Sequence, residues 1–97
     1  MVYGMYVLYE MLDWESMKKY VEKVRATVEQ YGGQYLATDS NVEVIEGPYA
    51  PKHTVLIAFP TREMLGKWYE SPEYQEILPY RLKGAKGAAV VVHGVGG

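Results

Sequence analysis

His53 and Glu46 are the residues whose types and spacing best suit proton transfer. The segment between them is rich in glycine and proline, and if it closes a hairpin, Glu46 lies opposite His53 on one face. A carboxylate there would favour the protonated imidazole and orient the ring for acid–base catalysis. The same two side chains would also form an ordinary exposed charge pair at the end of a hairpin. Both interpretations stay open, because a slip of one residue in register would separate the pair.

Arg81 is the second candidate, and its position indicates anion binding. It follows Ile77 and Leu78 at helical spacing, so it lies on the apolar side of a helix. A buried guanidinium needs a carboxylate or another anion as its partner. That partner is either a small anionic ligand or an internal salt bridge to Glu46, Glu73 or a second subunit. The remaining residues of the predicted ligand site are tyrosines: Tyr49, Tyr69 and Tyr74.

The first half of the chain predicts a strand, a helix and a second strand. Val2 to Met11 is apolar on both faces, as in a strand that is covered on both sides. Asp13 is a good N-cap, and Gly32 is the expected left-handed end of the helix. The helical stripe that we assign to the core consists of six residues: Trp14, Met17, Val21, Val24, Val28 and Tyr31. Gln34 to Thr38 forms the next strand.

The second half predicts more strands and a helical region in two segments. Asp39–Asn41 is a turn, Val42–Glu46 resumes strand as a hairpin or after a bulge, and His53–Phe59 is a further strand. Thr61 caps a short helix around Glu63–Glu70, and Ser71–Pro72 begins another, which Pro79 limits or kinks. Lys83–Gly87 is then a loop, and Ala88–Val95 is the last strand.

The order βαββαβ is that of an α+β, ferredoxin-like domain over residues 1–95, with residues 96–97 as a tail. Both helical regions then cover one face of a four-stranded antiparallel sheet. Because several strands are apolar on both faces, something must cover the other face. A second copy of the chain is the economical answer, so we predict a homodimer with facing sheets.

Composition and charge exclude several classes of function. The net charge is −2 with interspersed signs, which argues against nucleic-acid binding. No run approaches the ~20 apolar residues of a membrane span, and no export signal is evident, so a cytoplasmic protein is expected. The chain has no cysteine, and His53 and His93 fall at opposite ends of the sheet. No metal and no cofactor is therefore predicted, and helix capping explains Ser71 without a catalytic triad.

Several short motifs resemble the domain-of-unknown-function 1330 family over about Val2–Val95. In order they are Tyr31-Gly32-Gly33, Tyr35-Leu36-Ala37, Glu46-Gly47, Phe59-Pro60, Trp68-Tyr69, Ser71-Pro72-Glu73-Tyr74 and Arg81. The resemblance implies a dimeric α/β barrel of ferredoxin-like subunits. A basic residue often follows the Leu-Ala pair in this family, whereas Thr38 stands here. The wider fold superfamily includes cofactor-free monooxygenases, haem-degrading enzymes, lactone isomerases and small-molecule sensors, but fold alone does not fix function.

Two hypotheses from different classes follow. The first is a small-molecule enzyme without metal or flavin, in which Arg81 anchors the ligand and His53 with Glu46 moves a proton. The second is a non-catalytic module that binds a small effector or another protein. The sequence does not decide whether the chain is an enzyme.

Overall fold

The computed structural model describes residues 1–96, so the predicted tail at residues 96–97 lies partly outside the described residues. The order of elements is β1, α1, β2, β3, α2, α3 and β4. Their bounds are β1 Val2–Met11, α1 Trp14–Gln30, β2 Gln34–Asp39, β3 His53–Phe59, α2 Arg62–Tyr69, α3 Pro72–Gly84 and β4 Ala85–His93. This is the predicted βαββαβ pattern, with the second helical region divided into α2 and α3.

The four strands form one antiparallel sheet in the order β2-β3-β1-β4. Strands β3 and β4 both flank β1 and therefore run parallel to each other. In this register His53 lies opposite Leu8 and His93 lies opposite Val2. The two histidines are thus at opposite ends of the sheet, as predicted.

The helices pack against the sheet face that carries Val2, Leu8, Ile57 and Phe59, and these four side chains belong to the core cluster. Helix α1 begins at its predicted cap, where the Asp13 carboxylate accepts a hydrogen bond from the backbone N–H of Ser16. The helix ends at Gln30, and Gly32 shortly after it has a φ of 86°, the left-handed conformation expected at this position.

The buried face of α1 differs from the predicted stripe. Met17, Val24 and Val28 are buried as expected, but Trp14 and Val21 are about half exposed. Tyr20, which the stripe omitted, is buried instead. The reason is an open cavity beneath the first half of the helix: Trp14 and Val21 line its wall rather than pack against the sheet.

Both segments of the second helical region begin at the predicted caps. The Thr61 hydroxyl accepts a hydrogen bond from the N–H of Met64, and the Ser71 hydroxyl accepts one from the N–H of Tyr74. Helix α3 continues through Pro79 to Gly84, so proline does not limit it. The buried face of α3 packs against the rest of the core on both sides of Pro79, which holds the helix together there.

The predicted strand Val42–Glu46 is wrong. Residues 40–52 form a long connection, and Ile45 in this segment is almost fully exposed. The reason lies in the sheet: β3 already pairs with β1 on one side and with Gln34–Asp39 on the other. No edge of β3 is left for residues 42–46, and a bulge between Tyr35 and Ala37 adjusts the register instead.

The predicted loop Lys83–Gly87 is also wrong, and the last strand begins earlier than Ala88. Helix α3 passes directly into β4, because Ala85 is already extended while its N–H still bonds to the carbonyl of Arg81. The Gly84 carbonyl in turn accepts hydrogen bonds from the N–H groups of Leu12 and Asp13. These bonds satisfy the end of the helix without an intervening loop.

The sheet face opposite the helices carries Met5 between its cross-strand neighbours Leu56 and Val90. Val90 and Val92 are each almost half exposed on this face. None of the helices within residues 1–96 is long and apolar enough to cross a membrane.

Candidate functional site

A cavity of about 270 Å³ lies between the helices and the sheet, and Arg81 is part of its wall. We call it the Arg81 cavity. Most of its other lining side chains are apolar or aromatic, among them Tyr6, Tyr20, Trp68, Tyr69 and Tyr74. Small-molecule sites typically combine an apolar wall with a few polar groups at fixed positions.

Helix α3 places Arg81 in this wall. Ile77 and Leu78 are buried one turn earlier on the same face, as the sequence spacing predicted. Arg81 itself is 6% exposed, which is rare for a charged side chain. Its guanidinium carbon lies 4.5 Å from the centre of the Tyr6 ring and 5.9 Å from that of Tyr20. The two rings offer a cation–π environment, which stabilises the positive charge without neutralising it.

The guanidinium has no anionic partner among residues 1–96. Its Nε atom is buried and makes no hydrogen bond, and no carboxylate is within salt-bridge distance of the side chain. Glu73, one of the predicted partners, instead accepts hydrogen bonds from Tyr31 and Gln30. Glu46, the other, lies exposed in the 40–52 connection. The predicted internal salt bridge is therefore absent from the described part of the chain.

The tyrosines around Arg81 are neutral at ordinary pH. Burial raises the pKa of Tyr6, Tyr20 and Tyr74, although the nearby Arg81 charge opposes this increase. Burial also raises the pKa of Tyr35, which lines the same cavity, to about 12. The Tyr20 and Tyr74 hydroxyls bond to each other at 2.9 Å. The cavity lining thus contains two arginines, Arg81 and Arg62, one carboxylate, Glu70, and several neutral tyrosine hydroxyls.

One side-chain hydrogen bond links α1 to α2 beside this cavity. The indole N–H of Trp68 donates to the Thr27 hydroxyl at 3.0 Å, and that hydroxyl donates to the carbonyl of Val24. The Trp68 and Tyr74 ring centres are 4.3 Å apart, and those of Tyr69 and Tyr74 are 5.2 Å apart. Two of the predicted ligand residues, Tyr69 and Tyr74, therefore share this cavity with Arg81.

His53 lies in a second cavity of about 380 Å³, which we call the His53 cavity. Both of its ring nitrogens meet hydroxyls: Nε2 is 3.1 Å from Thr38 Oγ1, and Nδ1 is 2.8 Å from Ser40 Oγ. Partial burial lowers the pKa of His53 below its ordinary value, and the nearby Asp39 carboxylate opposes this effect. The ring is accordingly neutral near pH 7, and hydroxyls can serve either tautomer as donor or acceptor.

The predicted pairing of Glu46 with His53 is wrong. It required Val44 to lie opposite Val55, but Thr38 occupies that position in the sheet. Thr38 and Ser40 contact the His53 ring instead of a carboxylate. The physical reason is the long 40–52 connection, which carries Glu46 away from the sheet.

Tyr49, the third predicted ligand tyrosine, does not line either cavity. It packs edge-on against Tyr9, with ring centres 5.3 Å apart. Two tyrosines that sequence reasoning left out, Tyr6 and Tyr20, contact Arg81 instead. The spacing of Tyr20 from Met17 and Val24 is a signal that would have placed it on the buried face of α1.

No group of three histidine, aspartate or glutamate side chains within residues 1–96 is arranged to hold a metal ion. Besides the Arg81 guanidinium, the His53 imidazole and the tyrosine hydroxyls, the two cavities are lined by these polar residues: Arg62, Glu70, Thr38, Ser40 and Lys52. Chemically, this set can bind an oxyanion, donate hydrogen bonds and accept a proton.

Comparisons with known proteins identify the fold and the family. The Arabidopsis thaliana protein At3g17210 superposes with a TM-score of 0.77 at 11% identity, covering 98% of this chain and 96% of that one. A DABB-family protein with a ferredoxin-like fold from Mesorhizobium loti gives a TM-score of 0.69 at 9% identity, covering 98% of each chain. An antibiotic biosynthesis monooxygenase gives 0.58 at 21% identity, covering 98% of this chain and 99% of that one. At these identities the similarity shows the fold alone.

No curated protein matches the sequence. The family model for the domain of unknown function DUF1330 matches residues 2–95, which is nearly the whole chain and the range over which the motifs suggested it. The chain is therefore a member of the DUF1330 family with a ferredoxin-like fold.

Proposed function

We propose that the chain binds a small organic anion in the Arg81 cavity and that Arg81 is its anchor. The observation that carries this proposal is the buried guanidinium, whose Nε atom has no hydrogen-bond partner and which has no carboxylate nearby. A charge removed from water without a partner is costly, and a bound anion would provide that partner. The apolar and aromatic walls would contact the body of the ligand.

We further propose that the bound molecule is a substrate and that His53 accepts a proton from it. Support comes from the neutral state of the ring near pH 7 and from the hydroxyls of Thr38 and Ser40, which fix its orientation. One structural neighbour is named as a monooxygenase, which is a likeness of fold only. The alternative is a non-catalytic module that binds a small effector through the same arginine.

Calorimetric titration with butanoate, a minimal carboxylate, tests the anion site. Wild type should bind butanoate saturably, and Arg81→Met should bind it ~10–100-fold more weakly, because a hydrogen bond to a charged group contributes about 1.5–3 kcal/mol. Arg25→Met, at an exposed arginine of α1, is the matched control and should bind as wild type does. Equal affinity for wild type and Arg81→Met would refute the anchor.

Substitution of His53 distinguishes an enzyme from a non-catalytic effector module. Once a turnover assay exists for the natural ligand, His53→Asn should reduce kcat while the affinity of the ligand at Arg81 is retained. If the natural ligand is recovered chemically unchanged after incubation with wild type, the chain is a binding module. Native mass spectrometry of the freshly purified protein, compared with a denatured sample, is the direct way to obtain that ligand.

We also propose that the exposed sheet face around Met5, Leu56 and Val90 pairs with a second copy of the chain. Its exposed apolar side chains, which include Val92, would otherwise lie in water. Sedimentation velocity at micromolar concentration should give a dimer for wild type, and Val90→Lys should shift it toward monomer. A stable wild-type monomer would contradict this arrangement.

A further inference from the structure

The Arg81 cavity and the His53 cavity are neighbours that share part of their walls. Five side chains line both of them: Tyr6, Tyr20, Val24, Tyr35 and Val55. These residues come from β1, α1, β2 and β3, so the shared wall runs across the sheet and the helix above it. These five residues lie between the two cavities.

The two ends of this combined space differ in chemistry. Arg81 lines only the first cavity, and His53 lines only the second. Around His53 the polar groups are Thr38, Ser40 and Lys52, whereas the middle of the space is formed by aromatic and branched aliphatic side chains. A ligand confined to the Arg81 cavity would not reach the imidazole. The two groups that the proposed function assigns to one ligand therefore require a ligand of some length.

Exposed apolar side chains beside the His53 cavity also support a ligand that extends into it. Trp14 and Val21 are about half exposed on α1, and both face the His53 cavity as part of its lining. Half-exposed tryptophan on a helix is otherwise unfavourable, and a ligand in the second cavity would cover it. A largely apolar cavity beside a buried cation suits an amphiphilic molecule.

We propose that the two cavities form one site for a single elongated amphiphilic anion, whose charged group binds Arg81 and whose apolar body passes Tyr6 and Tyr35 to end beside His53. This inference rests on the proposed function, since it takes Arg81 as the anchor. It adds the class of ligand: a monoanion with a long apolar chain or an extended ring system, rather than a compact acid.

A series of unbranched carboxylates from butanoate to dodecanoate tests the proposal by calorimetry. Each methylene that enters an apolar cavity contributes about a fourfold gain in affinity. The gain should continue past the length that fills the Arg81 cavity. Val21→Trp, which fills the His53 cavity from its half-exposed position, should reduce the ratio of dodecanoate to butanoate affinity at least ~10-fold. Ala26→Trp, at an exposed position of α1 that lines neither cavity, should leave this ratio unchanged.

The two tryptophans give a second readout. Trp68 lines the Arg81 cavity and Trp14 lines the His53 cavity, so their indole N–H signals report on the two halves separately. In ¹H–¹⁵N spectra butanoate should shift the Trp68 signal alone, and dodecanoate should shift both. Trp14→Phe assigns the two signals.

The outcomes separate this inference from the function on which it rests. If butanoate binding does not depend on Arg81, the proposed function fails and the elongated site fails with it. If butanoate binding depends on Arg81 but affinity stops rising with chain length, the function stands and the elongated site is overturned. A continued rise that Val21→Trp does not reduce, with the Trp14 signal unmoved, would place the chain of the ligand elsewhere and also overturn it.

Discussion

Replacing Arg81 by methionine distinguishes an arginine that binds a ligand from one that holds the fold together. Methionine keeps an unbranched, flexible side chain of similar reach but removes the charge. Breaking a buried ion pair by deleting one partner commonly costs 3–5 kcal/mol, because the other charge is left unpaired. Arg81 has no such partner among residues 1–96, so this penalty does not apply.

The contacts that Arg81→Met would lose are the approaches to two rings. The Tyr6 ring, at 4.5 Å, contributes about 0.5–2 kcal/mol, and the Tyr20 ring, at 5.9 Å, contributes less. The substitution also removes the cost of keeping an unpaired guanidinium away from water, which is of similar or larger size. We therefore expect the free energy of unfolding to fall by no more than about 1 kcal/mol, or to rise.

Urea denaturation followed by far-UV circular dichroism measures this difference, at one protein concentration and with the slopes of the two transitions compared. Arg25→Met, which removes an exposed pair with Glu29 and an approach to the Tyr35 ring at 5.8 Å, is the control and should change stability by less than about 1 kcal/mol. A loss of 3 kcal/mol or more for Arg81→Met would refute the reasoning. It would mean that the guanidinium is held by an anionic group that a single chain does not contain, such as a carboxylate of a second subunit.

Three further predictions follow from the geometry. Tyr20→Phe and Tyr74→Phe should each lower the free energy of unfolding by about 1–3 kcal/mol, because each leaves the hydroxyl of the other tyrosine buried and unpaired. The double variant should lose clearly less than the sum of the two single losses. Additive losses in this double-mutant cycle would contradict the 2.9 Å hydrogen bond. Gly84→Ala should lower the free energy of unfolding, measured by heat or urea, by about 1–3 kcal/mol, because its new Cβ would lie 2.9 Å from the backbone nitrogen of Met17. An unchanged stability would show that α1 and α3 can move apart without cost. The pKa of His53, measured by NMR, should lie below 6.5, because burial disfavours the charged ring. The contribution of this ring to stability is then fully present above pH 6.5 and is lost as the pH falls through the pKa of His53 in the folded protein. A midpoint above 6.5 would contradict the burial of the ring.

Local signals in the sequence were sufficient to predict most elements. Asp13, Thr61 and Ser71 are caps because their side chains accept hydrogen bonds from the backbone three residues later, and this chemistry does not depend on the rest of the fold. The burial of Arg81 followed in the same way from its helical spacing after Leu78 and Ile77.

The wrong predictions concern pairing between distant segments. Val42–Glu46 has the composition of a strand, but whether it pairs depends on which edges of β3 remain free, and sequence spacing does not reveal this. The Glu46–His53 pair failed for that reason. The exposed Trp14 has a similar cause, since a helical stripe shows which residues share a face but not whether that face meets a sheet or an open cavity.

The sequence was sufficient to predict Arg81 as the anchor of the candidate site, but not all of the residues that surround it. Tyr69, Tyr74 and Arg81 follow one another in the second helical region, so local geometry brings them together. Tyr6 comes from a strand that is distant in sequence, and only the packing of the helices on the sheet brings it against the guanidinium.

A crystal structure of the protein grown with dodecanoate would test the central claim, anion binding at Arg81, most directly. We expect a carboxylate oxygen about 2.7–2.9 Å from Arg81 Nε, the distance of a charge-assisted hydrogen bond. A structure in which the carboxylate lies elsewhere, or in which a protein carboxylate from a second subunit bonds to Nε, would contradict the account.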